Sequence, residues 1–262
     1  MNFKKKWTKK YGKSEIMTKE NSSCKLMEID MVKLSDGQKK SYSAKDTEFG
    51  ILIFGGKCNV EGKDFSFTNI GKRENVFDGA ATSVYVPGNT DFTITGVGEV
   101  SMAVVKSPAE KMFKPVLINP EDVIIKDMGK PGWERQAHFI LDERVEANII
   151  YIGEAYVKGG QWASYPPHKH DDDNMPTEAA TEEVYYYEFK KDTGFGIQRV
   201  YTMEGDIDET YTVKSGDLVE MPRGYHPYHS APGYDSYYLW IMAGKNRGFF
   251  MTTDEDHAWL NK

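Results

Sequence analysis

Residues 216–227 read Gly216-Asp-Leu-Val-Glu-Met-Pro222-Arg-Gly224-Tyr-His226-Pro227, a largely apolar run that stops at a proline, turns at a glycine and delivers a histidine. Proline cannot donate to a sheet ladder, and glycine supplies the backbone angles of a tight turn. The stretch therefore reads as a strand, a turn and the start of a second strand. The first half of the chain repeats this pattern at Val84-Tyr-Val-Pro87-Gly-Asn-Thr-Asp-Phe92. A local pattern that recurs once in each half predicts a duplicated β-barrel in which only the second copy bears histidines.

Working outward, short segments rich in β-branched and aromatic residues alternate with Gly, Pro, Asn and Asp, and helical stripes are few. In the first half FGILIF (49–54), SVYV (83–86), DFTIT (91–95) and EVSMAVV (99–105) read as strands; in the second, AHFIL, NIIYIGEAYV, EEVYYYEF, GIQRVYTM, ETYTV and YYLWIMA do so. Evenly spaced short strands indicate an all-β sandwich or barrel architecture. The pattern is interrupted from Pro108 to Pro131, where a linker is expected. This divides the chain into a barrel without a metal motif over 1–125 and a second, metal-bearing barrel over 126–262.

Composition limits the partners. The 262 residues carry a formal charge of −7, and residues 1–13 hold six lysines and no acid. The remainder has 27 basic and 40 acidic residues, a net of −13, which repels a phosphate backbone. No nucleic acid is expected as partner, and the lysine arm reads as a solvated tail. No apolar run reaches the ~20 residues of a membrane helix, and the N-terminus lacks the apolar stretch of a signal peptide. Two cysteines, Cys24 and Cys58, are too few for a disulfide scaffold, so a cytoplasmic protein with no membrane association is expected.

Four of the six histidines fall between 168 and 229. On a strand, residues two apart share a face, so His168 and His170 in PHKH present two imidazoles to one point while Lys169 faces away. An acidic loop, HDDDNMPTEAAT, then leads into a strand beginning at Glu182 and Glu183. Glu183 shares a face with Tyr185 and Tyr187, so Glu183 rather than Glu182 is expected to add a carboxylate to the imidazoles. The turn after Pro222 delivers His226 as a fourth ligand. Asp171 to Asp173 cannot all face one point on an extended chain and read as a solvated loop.

HxH, a glutamate at a strand start, and Pro-x-Gly followed by His resemble the two motifs of the cupin superfamily, whose small β-barrels hold a metal with three His and one Glu. Two departures stand out. The gap from His170 to Glu183 is longer than in most cupins, and His226 follows Gly224 by one position fewer than in many, which makes His229 a rival ligand. More narrowly, SYPPHKHD, EEVYYYEF, GFGIQRVYT, GDLVEMPRGYHP, APGYDSYYLWIMAG and ENVFDGAATSVYVP resemble the 5-deoxy-glucuronate isomerase family of bacterial inositol catabolism, from about residue 50 to 245. The 4-deoxy-L-threo-5-hexosulose-uronate ketol-isomerases of pectin breakdown are the nearest competing family.

This resemblance implies a bicupin that converts 5-deoxy-glucuronate to 5-dehydro-2-deoxy-gluconate, an aldose to ketose isomerisation that moves a proton between adjacent carbons. It implies a divalent metal, zinc or manganese, held by His168, His170, Glu183 and His226, which binds the carbonyl and hydroxyl oxygens and stabilises an enediolate. His229, Tyr185, Tyr187 and Tyr238 are the candidate proton-transfer residues. Arg199 and Arg223 are the candidate cations for the carboxylate of a small sugar-acid substrate. By family analogy alone, barrels pair through their sheets into a homo-oligomer. An iron-dependent dioxygenase and a non-catalytic sugar-binding cupin are the readings from other classes.

Overall fold

In the computed structural model, which describes residues 2–43 and 45–261, the longest ladder is formed by Thr47–Gly62 and Phe92–Pro108. They pair antiparallel from Thr47 opposite Pro108 to Gly62 opposite Phe92. The register shifts twice near Gly55 and Gly56, bulges that bend the ribbon. Gly56 is obligatory there: its φ is +88°, and a Cβ would lie 2.0 Å from the Glu99 carbonyl oxygen. The sheet around this ladder runs Gly12–Met17, Glu28–Leu34, Phe92–Pro108, Thr47–Gly62, Ser83–Val86, Val116–Ile118. Alternate residues Phe49, Ile51 and Ile53 enter one core with Val84, Val86, Phe92 and Val104.

Two compact units make up the chain. One takes in Trp7–Ile124 and Phe139–Ile152. Within it the buried Glu48 carboxylate accepts hydrogen bonds from the backbone N–H groups of Asn148, Ile149 and Ile150 at 2.6, 2.7 and 2.9 Å, and from the Tyr85 hydroxyl at 2.8 Å. A carboxylate removed from water must find such donors, so Glu48 anchors the 139–152 segment.

The other unit holds the N-terminal residues through Lys6, Ile125–His138 and the chain from Gly153 onward. A seven-stranded sheet runs Lys4–Lys6, Asp217–Met221, Glu182–Phe189, Ser236–Ala243, Ile150–Val157, Arg135–Leu141, Ile124–Met128. A four-stranded sheet runs Trp162–Ala163, Tyr228–Ser230, Gly196–Tyr201, Asp208–Val213. His168–Lys169 pairs with Thr252–Thr253.

The lysine arm differs from the solvated tail expected of it. Lys4–Lys6 is an edge strand on Asp217–Met221, Phe3 is fully buried, and the lysines pair with Asp217 and Glu220. Acidic side chains on the receiving strand supply partners that a basic run read in isolation lacks. The described residues contain only short 3-10 turns besides strands, and no helix is long and apolar enough to cross a membrane.

Candidate metal centre

The strand Glu182–Phe189 alternates Glu183, Tyr185 and Tyr187 inward, all buried. Glu182 is partly exposed, so the register chosen from the sequence is the one adopted. Across from it the turn after Met221 brings in His226, which is 0% exposed. His168 and His170 are buried, and Lys169 between them points to Asp172 at 2.6 Å and Glu178 at 3.3 Å.

The imidazole nitrogens of His170 and His226 approach the same oxygen of Glu183. His170 Nε2 lies 2.9 Å and His226 Nε2 3.0 Å from Glu183 Oε2. His168 lines the same cavity, and its ring centroid lies 5.0 Å from that of His226. Each histidine uses its other nitrogen on a backbone carbonyl. His170 Nδ1 donates to Thr181 O at 2.8 Å, His226 Nδ1 to Gly224 O at 2.9 Å and His168 Nδ1 to Pro166 O at 3.3 Å. A carbonyl can only accept, so Nδ1 carries the hydrogen and Nε2 of the neutral ring is left as a lone pair. Lone pairs of two imidazoles facing a carboxylate oxygen repel unless a cation sits among them. The ligand atoms of His170, Glu183 and His226 lie within 4.8 Å of one another, and this set of imidazole nitrogens and a carboxylate oxygen, with no thiolate, fits a metal ion.

Burial acts to raise the Glu183 carboxyl pKa, but the adjacent imidazoles of His170 and His226 outweigh it and hold it at about 2. Burial, then the neighbouring His226 and His170, push His168 well below the usual imidazole range. For His170 burial pulls down while Glu183 pulls harder upward, and its pKa is raised.

Residues that the sequence did not single out hold this arrangement in place. Gln198, fully buried, accepts from the Tyr187 hydroxyl at 2.6 Å and donates to the backbone carbonyls of His226 and Pro227 at 2.8 and 3.2 Å. Asp171 takes the Gly224 N–H at 2.8 Å, so the first aspartate of the acidic triple ties down the histidine-bearing turn. Glu178 in turn accepts from the N–H groups of Asp171 and Asp172 at 2.6 and 3.0 Å. The loop is thus folded back on itself, and only part of it is solvated.

Tyr185 and Tyr238 line the cavity with their rings stacked at 4.4 Å, and the Tyr185 hydroxyl meets Ser164 Oγ at 2.6 Å. Burial pushes the pKa values of Tyr185 and Tyr238 upward. Tyr187 lies one turn of the pleat further along, engaged with Gln198. Three other candidates sit elsewhere. His229 is on Tyr228–Ser230, paired with Trp162 and with its ring 4.9 Å from the indole. Arg199 is exposed on the outer face of its strand, bound to both oxygens of Asp208 at 2.8 and 3.0 Å and lying over Tyr201. Arg223 is exposed in the turn and paired with Asp206. Neither arginine lines the cavity, whereas Arg135 does.

Residues 3–260 match the KduI/IolB family. The chain belongs to the KduI/IolB family. Among its relatives, the 5-deoxy-glucuronate isomerase of Bacillus licheniformis is 42% identical over 244 residues, covering 92% of this chain and 90% of its own. That of Bacillus subtilis strain 168 is 40% identical over 246 residues, covering 93% and 91%. The crystal structure of an IolB-like protein from Salmonella typhimurium superposes with a TM-score of 0.95 over 100% of both chains at 32% identity. A mutant of Bacillus subtilis oxalate decarboxylase, at 12% identity, gives a TM-score of 0.66 over 96% of this chain and 79% of that one, a likeness of fold alone. The KduI/IolB chain described here is therefore all-β with the cupin-type barrels expected of it.

Proposed function

We propose that the protein is a 5-deoxy-glucuronate isomerase, converting the aldose to 5-dehydro-2-deoxy-gluconate. The observation that carries this reading is the match to relatives of that name at about 40% identity over more than nine-tenths of this chain. The site supplies a chemistry that fits it. His168, His170, Glu183 and His226 would hold zinc or manganese, and a divalent cation there supplies Lewis acidity for the two neighbouring oxygens of an α-hydroxy aldehyde.

The protein's own side chains do the rest. Backbone carbonyls fix the tautomer of each imidazole, so the ligand geometry is set before substrate arrives. Tyr185 and Tyr238 present phenol hydroxyls, protonated at neutral pH, to the cavity, where they donate to an oxygen that gains charge as the proton moves between carbons. Ser164 holds the Tyr185 hydroxyl in place. Met242, Trp240 and Phe249 wall the cavity with apolar surface and exclude water from a reactive enediol. Isomerisation needs no external oxidant, which separates this reading from an oxygen-dependent one. The two free cysteines, both buried, suit a reducing cytoplasm.

Incubation of metal-replete protein with 5-deoxy-glucuronate in deuterated water, followed by NMR, is the test. Loss of the aldehyde signal and appearance of the hydroxymethyl ketone, equally fast without oxygen, is the expected result. Absence of conversion overturns the assignment, and a strict oxygen requirement replaces it with a dioxygenase.

A further inference from the structure

We propose that Arg135 is the carboxylate anchor of this cavity, gripping the acid end of the sugar acid while its aldehyde end meets the histidine and glutamate centre. The inference deepens the isomerase reading and rests on it for the identity of the substrate. An acidic substrate poses a problem for this chain, because the body beyond the lysine arm is strongly acidic and a local cation must overcome that field. Arg199 and Arg223, the arginines nearest in sequence to the ligands, are already paired with Asp208 and Asp206.

Arg135 is placed differently. It opens the strand Arg135–Leu141, on which Arg135 and Ala137 face the cavity while Gln136 is exposed. It is the one lysine or arginine among the residues lining the cavity. Among the described residues no carboxylate pairs with it, so its donors are available to a ligand. It lines the same cavity as His168, His170, Glu183 and Tyr238.

The sheet order sets the span. From Glu182–Phe189 the strands run through Ser236–Ala243 and Ile150–Val157 to Arg135–Leu141. Three steps at the usual strand spacing amount to about 14 Å along the sheet, a gap that an arginine side chain and an extended hexuronate bridge together. The guanidinium fork matches a carboxylate in two parallel hydrogen bonds, and the apolar Met128, Met242, Met251 and Phe249 around it strengthen a charged contact. Binding both ends of the substrate also fixes which carbons stand at the centre, so Arg135 selects aldehydes that carry a distant acid.

Arg135→Met and Arg135→Lys test this. With Arg135→Met, metal content and thermal melting stay at the wild-type level, kcat stays within about threefold, and KM for 5-deoxy-glucuronate rises ~10- to 100-fold, with Arg135→Lys recovering part of it. An unchanged KM in folded, metal-replete Arg135→Met overturns the anchor and leaves the isomerase reading standing. Should the wild type fail to isomerise, calorimetric binding of D-glucuronate against D-glucose decides the anchor independently. A roughly tenfold loss of glucuronate affinity in Arg135→Met, with glucose unaffected, supports it. Equal affinity in both proteins, or no glucuronate binding by the wild type, overturns it.

Discussion

The strands Ser83–Val86 and Asp217–Met221 each run into a proline and bend two residues later through a left-handed residue, Asn89 at φ +57° in one and Gly224 at φ +92° in the other. Four positions after each proline the turns part: Asp91 is exposed, whereas His226 is fully buried. Behind the first turn the interior is hydrocarbon, with Phe92 stacked on Tyr42 and edge-on to Phe49. Behind the second stand Glu183, Gln198, Tyr187 and the imidazoles. A shared turn does not settle whether the side chain after it enters the interior. Whether that interior holds chemistry depends on polar neighbours that satisfy one another, since each buried polar atom without a partner costs more than it returns.

Removing the side chain that distinguishes the turns has the largest expected effect. His226→Ala is expected to lose bound metal by elemental analysis and about 10³-fold or more of kcat, whereas Asp91→Ala changes neither. Retention of full metal by His226→Ala would break the comparison. Next comes the support behind the histidine. Gln198→Leu strips the Tyr187 hydroxyl and the His226 backbone carbonyl of their partner, with an expected loss of about 2–3 kcal/mol in urea unfolding and roughly tenfold weaker metal binding.

The turns themselves come third. Gly224→Ala places a Cβ 2.5 Å from the Tyr201 carbonyl oxygen at a positive φ, with an expected cost of about 1–3 kcal/mol, whereas Asn89→Gly stays within about 1 kcal/mol. Equal melting temperatures for these two variants would show that the turns are interchangeable after all. The smallest effect concerns the acidic loop found only beside the second turn. Burial tends to raise the Glu178 pKa, but Thr252, the Asp172 and Asp171 N–H groups and Lys169 lower it below the ordinary 4.5. A carboxyl depressed on folding stabilises the fold above its unfolded pKa and loses that contribution as pH falls through its folded value. Glu178→Gln is therefore expected to melt about 2–4 °C lower at pH 7, a difference that shrinks as the solution is acidified below pH 4.5. A difference that grows on acidification would reverse the sign and refute the account.

The gathering of the histidines and Glu183 was legible in the sequence because their spacing is local. His168 and His170 are two apart on extended chain, Glu183 opens the next strand, and the proline and glycine fix where His226 emerges. Arg135 and Gln198 were hidden for the opposite reason. They reach the site through sheet order and strand pairing that no short window encodes. Gln198 did carry a signal: on Gly196–Tyr201 the strand period sends Gln198 inward and Arg199 outward, so the alternation that picked Glu183 over Glu182 also separates this pair. Nearness in sequence favoured Arg223 and His229, but one is held by Asp206 in the turn and the other lies against Trp162. The β architecture was plain from composition and punctuation, whereas the membership of Lys4–Lys6 in the C-terminal sheet depends on Asp217 and Glu220, more than two hundred residues away.

That edge strand also orders events in time. Lys4 pairs with Val219, so the strand Lys4–Lys6 leaves the ribosome more than two hundred residues before its partner exists. At a synthesis rate of about 5–20 residues per second, it waits on the order of ten seconds or more. The unit built from Trp7–Ile124 needs only Phe139–Ile152 to close its contacts, and it can fold during that interval. The unit that holds His170, Glu183 and His226 is completed last, by returning to the beginning of the chain for its outermost strand.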